Sequence, residues 1–173
     1  YFDHPFTRGM VRTIERLSGQ PYLQKLYETY RADLTHEPFF AAAIKLLDLD
    51  VEFSSRRLAQ IPATGPLVVV ANHPFGVLDG LLISWIISLR RTDFKVLTNA
   101  ILDGAPEARE WLLPIDFANT REARATNIAT RAESMERLKN GECIIVFPAG
   151  GVSTSPTPFS RRAVDDTWKP FTA

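Results

Sequence analysis

The sequence lacks the features that mark several large classes of protein. It has a single cysteine, Cys143, among 173 residues, so a disulfide framework is excluded and a reducing compartment is expected. It has no excess of charge, with 20 Lys and Arg against 20 Asp and Glu, so no overall field attracts nucleic acid. Its apolar run from Leu81 to Leu89 is far shorter than the roughly 20 residues needed to span a bilayer.

Several motifs that would assign an activity directly are also missing. The chain has no glycine-rich pattern of a nucleotide-binding loop, and no G-x-S-x-G surrounds Ser153, which excludes a nucleophile of the hydrolase-elbow type. No cluster of His, Cys and carboxylate residues has metal-ligand spacing, so we expect no metal. The amino terminus has no basic region followed by an apolar core, so we expect no signal peptide; we also expect the protein to continue beyond Ala173.

What the sequence does contain is typical of a globular α/β protein, with 45% apolar and 23% charged residues. From Leu67 onward, apolar β-branched runs alternate with helical periodicity. This order predicts a mainly parallel sheet flanked by helices. The predicted strands are 67–71, 94–97, 114–117 and 142–147, and the predicted helices between them are 81–91, 105–112 and 119–140.

The first 50 residues have a different pattern, which predicts a small helical annex. Apolar residues recur at helical spacing in 7–17, 21–34 and 38–47. We therefore divide the chain into an annex, 1–50, and an α/β domain, 51–173, in which 50–53 is a possible short strand. The apolar stripe of the third annex helix is a core face or, alternatively, a surface for lipid. It consists of Phe39, Phe40, Ile44 and Leu47.

Polar residues follow the first strand, where it passes into its helix. The valine run predicts a strand buried on both faces, and it ends at Asn72-His73-Pro74. In open α/β sheets, ligands bind outside the carboxyl ends of the strands. A histidine can take a proton from a hydroxyl near neutral pH, and an aspartate on its other ring nitrogen, here Asp79, stabilises the imidazolium. An ordinary turn, with Asp79 as a helix N-cap, remains the alternative.

A second group of polar residues opens the last long helix. Asn119 followed by Glu122 fits an N-cap with a reach-back partner. Arg121 and Arg124 lie in the first turns, where a cation opposes the helix dipole. A bound anion would offset that cost, because free backbone N–H groups point toward it; two solvated arginines are the alternative. The predicted apolar face of this helix consists of Ala125, Ile128, Ala132, Met135 and Leu138.

The last predicted strand runs into a glycine-containing loop, 147–153. Paired glycines let a ligand approach the backbone closely. Cys143, within the strand, is expected to be a small core residue. The loop also carries hydroxyl side chains, such as Ser153, which suit contact with a ligand.

Together these segments resemble the glycerolipid and lysophospholipid acyltransferase family. The first motif of that family is matched by 72–79 (NHPFGVLD), the second by 114–117 (PIDF) with Arg121, and the third by 147–153 (FPAGGVS). The order and spacing of the motifs agree as well, and the resemblance covers about 51–160. The likeness is greatest to the hemolysin-like branch, which includes bacterial ornithine-lipid acyltransferases.

The resemblance implies transfer of a fatty acyl group from a thioester carrier to a hydroxyl, without a covalent acyl-enzyme. His73 would be the general base and Asp79 its orienting partner, while Arg121 and Arg124 would hold an acidic head group. The supporting loop would consist of Asn72, Pro74, Phe75 and Gly76. Backbone N–H groups for the oxyanion, and the shape of the acceptor pocket, would come from Gly150, Gly151 and Ser153. Phe147 and Pro148 would also contribute to acceptor binding.

Two departures from the usual family pattern are common in the hemolysin-like branch. Five residues separate His73 from Asp79 where four are usual, and Ala149 replaces a glutamate associated with the acceptor. Two other functions remain open. One is a non-catalytic module that binds lipid or acyl carrier, which Ala149 would favour. The other is a hydrolase that uses the same pair on a thioester with water as acceptor.

The resemblance also implies partners and a location. The partners would be an acyl-carrier-protein or coenzyme A thioester, a lysophospholipid or lyso-ornithine lipid, and a membrane surface, with no nucleic acid. The thioester is a co-substrate, and no cofactor is expected. The protein would act peripherally at the cytoplasmic side of the inner membrane, without a transmembrane segment in this chain.

Overall fold

The computed structural model describes residues 38–99 and 106–155, together with Lys25, Glu28, Thr29, Val164, Thr167 and Trp168. The chain divides into two compact units, Tyr1–Pro38 and Phe39–Ala173, earlier than the boundary after residue 50 suggested by the sequence. The predicted helix at 7–17 lies outside the described residues. So does the one at 21–34, except for the helical positions 25, 28 and 29.

The second unit contains a parallel sheet flanked by helices, which confirms the predicted fold class. The strands are β1 (Leu67–Val70), β2 (Phe94–Asn99), β3 (Leu112–Ile115) and β4 (Cys143–Val146), in the order β1-β4-β2-β3. The helices are α1 (Phe39–Leu46), α2 (Ser55–Leu58), α3 (Val77–Ser88) and α4 (Arg121–Lys139), and a 3₁₀ helix, Pro106–Trp111, precedes β3. Over the described residues, no helix has both the length and the apolarity to cross a membrane.

β4 lies inside the sheet and is buried on both faces. Because successive side chains of a strand point to opposite faces, its apolar residues enter two separate cores. The first core consists of Phe40, Ile87, Phe94, Val96, Cys143 and Ile145. The second core consists of Leu97, Leu113, Ile144 and Val146. β4 therefore joins the two layers of helices through one strand.

The apolar stripe of α1 belongs to the first core, which confirms the core interpretation of this helix. Phe40 and Ile44 are buried. The ring of Phe40 lies 5.7 Å from the rings of both Phe94 and Trp111. α1 also packs against α3, so these aromatic contacts place the helix within the α/β unit.

Within the described residues β1 is an edge strand, and the expectation that it is buried on both faces is wrong. Leu67 and Val69 pack against the first core, whereas Val68 and Val70 are nearly half exposed. α4 packs on β3 and β4, so its coverage of the other face of the sheet falls off toward β1. The valine run therefore reflects the strand preference of β-branched residues more than burial.

The predicted apolar face of α4 is also wrong, because the helix buries small and polar side chains. Ala123, Thr130 and Ser134 are buried, and Thr130 Oγ1 donates to the Pro114 carbonyl at 2.6 Å. Small side chains let the helix lie close to the sheet, and a bonded hydroxyl avoids the cost of burying a polar group. Leu138 packs against the second core as expected. The exposed residues of the predicted face are Ala125, Ile128, Ala132 and Met135.

Several smaller elements differ from the sequence predictions. The N-cap of α4 is Thr120 and not Asn119, since Thr120 Oγ1 accepts the Ala123 N–H at 3.1 Å. Residues 50–53 form no strand, and the short helix α2 was not predicted. The segment before β3 is a 3₁₀ helix, and β3 begins at Leu112 instead of Pro114.

Where the strands begin, the buried side chain of Arg91 binds three turns at once. Nε and Nη2 donate to the two carboxylate oxygens of Asp93 at 2.7 Å each. Nη1 donates to the Gly65 carbonyl at 2.9 Å, and Nη2 donates to the Gly141 carbonyl at 2.8 Å. These partners precede β2, β1 and β4, so one planar guanidinium ties together the starts of three strands. Hydrogen bonding from Arg91 holds the pKa of the Asp93 carboxyl below its usual value.

We expect Arg91→Lys to lower the free energy of unfolding by about 2–3 kcal/mol, because an ammonium group cannot reproduce the forked bonds and leaves turn carbonyls unpaired. Urea unfolding followed by tryptophan fluorescence measures the change. Arg90→Lys is the matched control. Arg90 Nε and Nη2 reach the Ile61 carbonyl at 3.4 Å, so we expect a loss of less than about 1 kcal/mol there. Equal losses in the two variants would contradict the importance of the Arg91 contacts.

Cys143 predicts a loss of stability in alkali. Burial raises the pKa of its thiol to about 11, whereas a thiol in an unfolded chain titrates near 8.5. The contribution of the buried, protonated Cys143 thiol to the free energy of unfolding is therefore fully present below about pH 8.5, and it is lost as the pH rises through about 11. We expect the difference in unfolding free energy between the parent and Cys143→Ala to shrink over this range in urea titrations. A difference that stays constant with pH would contradict the prediction.

Candidate active site

β1 and β4 are neighbouring parallel strands, so the segments that follow them meet at one edge of the sheet. The pairing continues beyond the strands, because the Ser153 N–H donates to the His73 carbonyl at 2.8 Å. The His73 ring stacks on Phe147, with ring centroids 4.3 Å apart and planes inclined by 28°. The structure thus joins the first and third motif segments, which are distant in sequence.

His73 and Asp79 lie side by side in a partly enclosed position. The Nδ1 atom of His73 is buried and lies 3.2 Å from Asp79 Oδ2, and the two side chains are 19% and 12% exposed. Because Nδ1 faces the carboxylate, Nε2 is on the far edge of the imidazole ring. That arrangement matches the one in which a carboxylate orients a histidine base.

The loop between these residues is closed by a turn at Gly76. Gly76 has a φ of 64°, which residues with a Cβ seldom adopt, and it is the N-cap of α3. α3 begins at the next residue, so Asp79 is in its first turn. Its Oδ2 accepts the Phe75 N–H at 2.7 Å, and its own N–H donates to the Gly76 carbonyl at 3.0 Å. The turn accommodates the five-residue spacing, and Asp79 both fixes the loop and faces His73.

The supporting residues of the first loop differ in exposure. Asn72 is exposed and Pro74 is partly buried. Phe75 is 70% exposed and Val152 is 49% exposed. A Cβ placed on Gly76 would come within 3.4 Å of Val152 Cγ2, so the two loops are in close proximity. Val152 was not among the predicted site residues, although it lies within the third motif.

The third motif loop turns back on itself, which limits the groups available to an oxyanion. The Gly150 N–H donates to the Phe147 carbonyl at 3.0 Å, and the Ser153 N–H donates to the His73 carbonyl. The prediction that Gly150 and Ser153 donate their N–H groups to an oxyanion is therefore wrong. Gly151 remains a candidate donor, and it is exposed and beside open space.

The residue that replaces the usual glutamate, Ala149, is 2% exposed, and its neighbour Pro148 is buried as well. A glutamate at this position would have to bury its carboxylate, which is costly without a partner. The small side chain is therefore suited to the packing of this loop.

The second motif lies further along the same edge of the sheet. β3 is three positions from β1, or about 14 Å at the usual strand spacing. Arg121 is the first residue of α4, and both Arg121 and Arg124 are exposed. Arg124 Nη2 donates to Asn119 Oδ1 at 3.0 Å. The structure therefore places these arginines in the first turn of α4, at the same edge of the sheet as the His–Asp pair but beyond a different strand.

Sequence reasoning missed Asn127, which holds this second loop. Its Nδ2 donates to the Asp116 carbonyl at 2.8 Å, and its Oδ1 accepts the Asp116 N–H at 2.9 Å. Asp116 Oδ1 in turn accepts the Ala118 N–H at 2.8 Å. The sequence signal is an amide within a helix, which does not by itself distinguish this contact from solvation.

Comparison with known proteins bears on this geometry. No curated protein and no solved structure matches the chain. A family model described as an acyltransferase matches residues 7–172, which include all three motif segments. Because the matched region spans nearly the whole sequence, it covers the α/β unit and the edge of the sheet that carries the His–Asp pair. The chain belongs to the acyltransferase family.

Proposed function

We propose that this protein transfers a fatty acyl group from a thioester donor to the hydroxyl of a lyso-lipid, with His73 as general base and Asp79 as its partner. The observation that carries the proposal is the 3.2 Å approach of His73 Nδ1 to Asp79 Oδ2 at the carboxyl edge of the sheet. Family membership supports acyl transfer as the reaction class. The pair supplies the base that such a transfer to a hydroxyl requires.

The reaction follows from the orientation of the histidine. His73 Nε2 removes the proton of the acceptor hydroxyl while its oxygen attacks the thioester carbonyl carbon. Asp79 stabilises the imidazolium beside Nδ1, and the Gly151 N–H is the candidate donor to the oxyanion. When the tetrahedral intermediate collapses, the C–S bond breaks and His73 returns the proton to the leaving thiolate. The products are an acyl ester and a free thiol carrier, with no covalent acyl-enzyme.

The donor is an acyl-carrier-protein or coenzyme A thioester, which serves as co-substrate. Phe75 and Val152 form an exposed apolar rim next to the His–Asp pair, and such a rim suits an acyl chain or a membrane surface. We place the protein peripherally at the cytoplasmic side of the inner membrane, where a lyso-lipid acceptor presents its hydroxyl.

In this proposal the head group of the acceptor carries a phosphate or a carboxylate, as those of lysophospholipids and lyso-ornithine lipids do. Arg121 and Arg124 place positive charge at the amino-terminal end of α4, where an anion offsets their unfavourable interaction with the helix dipole. The buried Ala149 leaves the third motif without its usual carboxylate. We therefore assign head-group binding to the arginines.

His73→Ala should lower turnover at least 100-fold and leave the fold intact, because general base catalysis contributes about 10²–10⁴-fold. The assay offers labelled acyl thioesters with a panel of lyso-lipids and separates acylated lipid from free fatty acid. Turnover within a few fold of the parent would contradict the assignment. Label found only in free fatty acid would indicate a hydrolase. A bound thioester that yields neither product would indicate a binding module.

Asp79→Asn extends this test, because it separates the two contacts of the carboxylate. An amide oxygen can still accept the Phe75 N–H, so the loop should persist and thermal stability should change little. The negative charge beside His73 is lost, and we expect turnover to fall by about 10²-fold or more. Turnover equal to that of the parent would restrict Asp79 to a role in the loop.

Arg121→Gln should raise the KM for an anionic lyso-lipid about tenfold and leave the KM for an uncharged acceptor of equal chain length near the parent value. Arg131→Gln is the matched control, since it removes the same charge from an exposed position further along α4. If both variants raise the KM equally, the effect comes from net charge and not from a head-group site.

A further inference from the structure

We infer that Asn127 is a positioning residue for the acceptor: it fixes Asp116, and with it the loop 116–120, which carries Phe117 and leads into Arg121, the first residue of α4. The inference rests on the proposed function, because it concerns the head group that Arg121 would bind. Asn127 lies outside the three motif segments, on the second turn of α4.

The first observation is the unpaired edge of β3. Within the described residues β3 is the last strand of the sheet, so half of its backbone polar groups face away from β2. Proline lacks an N–H and is tolerated in a strand where the backbone groups point away from the neighbouring strand. Pro114 is at such a position of β3. Its carbonyl is bonded by Thr130 Oγ1 at 2.6 Å. Two residues further on, where the backbone groups point the same way again, Asp116 is bonded by Asn127.

The second observation is that the bonds to Asp116 are reciprocal. A side-chain amide has both a donor and an acceptor, like a peptide group. Asn127 uses both, at 2.8 Å and 2.9 Å, and so takes the place of a further strand. Two opposed bonds fix both the position and the rotation of Asp116. The single hydroxyl bond from Thr130 to Pro114 constrains the strand itself and not the loop.

The third observation is that further contacts follow this anchor along the loop and into the first turn of α4, where they reach Arg124. Asp116 Oδ1 accepts the Ala118 N–H, Thr120 caps α4, and Asn119 binds Arg124. Phe117 lies within this loop and is 51% exposed. Asn127 is partly buried behind the loop. We therefore assign Asn127 no contact with substrate, and its effect passes through Asp116.

The test compares Asn127→Ala with Thr130→Val, which removes the neighbouring bond between α4 and β3. The acceptors are 1-octanoyl-lysophosphatidate and uncharged mono-octanoylglycerol. We expect Asn127→Ala to raise the KM for the anionic acceptor about tenfold, with kcat and the KM for the uncharged acceptor within about threefold of the parent. Thr130→Val should leave all three near the parent values.

The inference is overturned if the anionic KM of Asn127→Ala stays near that of the parent, or if Thr130→Val raises it equally. A parent protein that acylates neither acceptor would contradict the proposed function instead. In that case, calorimetric binding of 1-octanoyl-lysophosphatidate tests the inference directly. Weaker binding in Asn127→Ala but not in Thr130→Val supports it. Equal affinities, or no binding to the parent, overturn it.

Discussion

The parallel pairing of β1 with β4 is the contact on which the candidate active site depends. It brings the segment after Val70 beside the segment after Val146, so His73 stacks on Phe147 and accepts the Ser153 N–H through its carbonyl. The other end of the same strands is held by Arg91, which binds the turns before β1, β2 and β4. The alignment of the strands is therefore supported at both of their ends. The buried Arg91 guanidinium holds the amino-terminal ends, and the stacking of His73 on Phe147 holds the carboxyl ends.

The Asp79 carboxylate both stabilises the loop and lies beside the proposed catalytic histidine. One oxygen accepts the Phe75 N–H and also lies next to His73 Nδ1. A structural role and a catalytic role are therefore compatible at this residue, because the loop that Asp79 closes is the loop that carries the histidine. The positive φ of Gly76 lets the chain reverse direction within the five residues between His73 and Asp79.

The edge of the sheet has two parts that are held by different means. The part at β1 and β4 carries the His–Asp pair and an apolar rim. The part at β3, which lies about 14 Å from β1 at the usual strand spacing, leads to the arginines and is held by polar side chains of α4. This division explains why α4 buries Thr130 and exposes Ile128. The inward face of α4 bonds β3, which is an edge strand within the described residues, and small side chains such as Thr130 and Ser134 let the helix approach that backbone closely.

The sequence by itself determined the α/β class, the alternation of strands and helices, and the residues of the three motifs, because apolar periodicity and local motif spacing are properties of neighbouring residues. The tertiary structure decided which strand is central, since strand order is not encoded in local pattern: β4 is buried on both faces, and β1 is an edge. It also decided which face of α4 is inward and which N–H groups are already bonded, as at Gly150 and Ser153. Those outcomes depend on partners distant in the chain. Asn127 was missed for the same reason, because its partner Asp116 becomes its neighbour only when α4 folds back on β3.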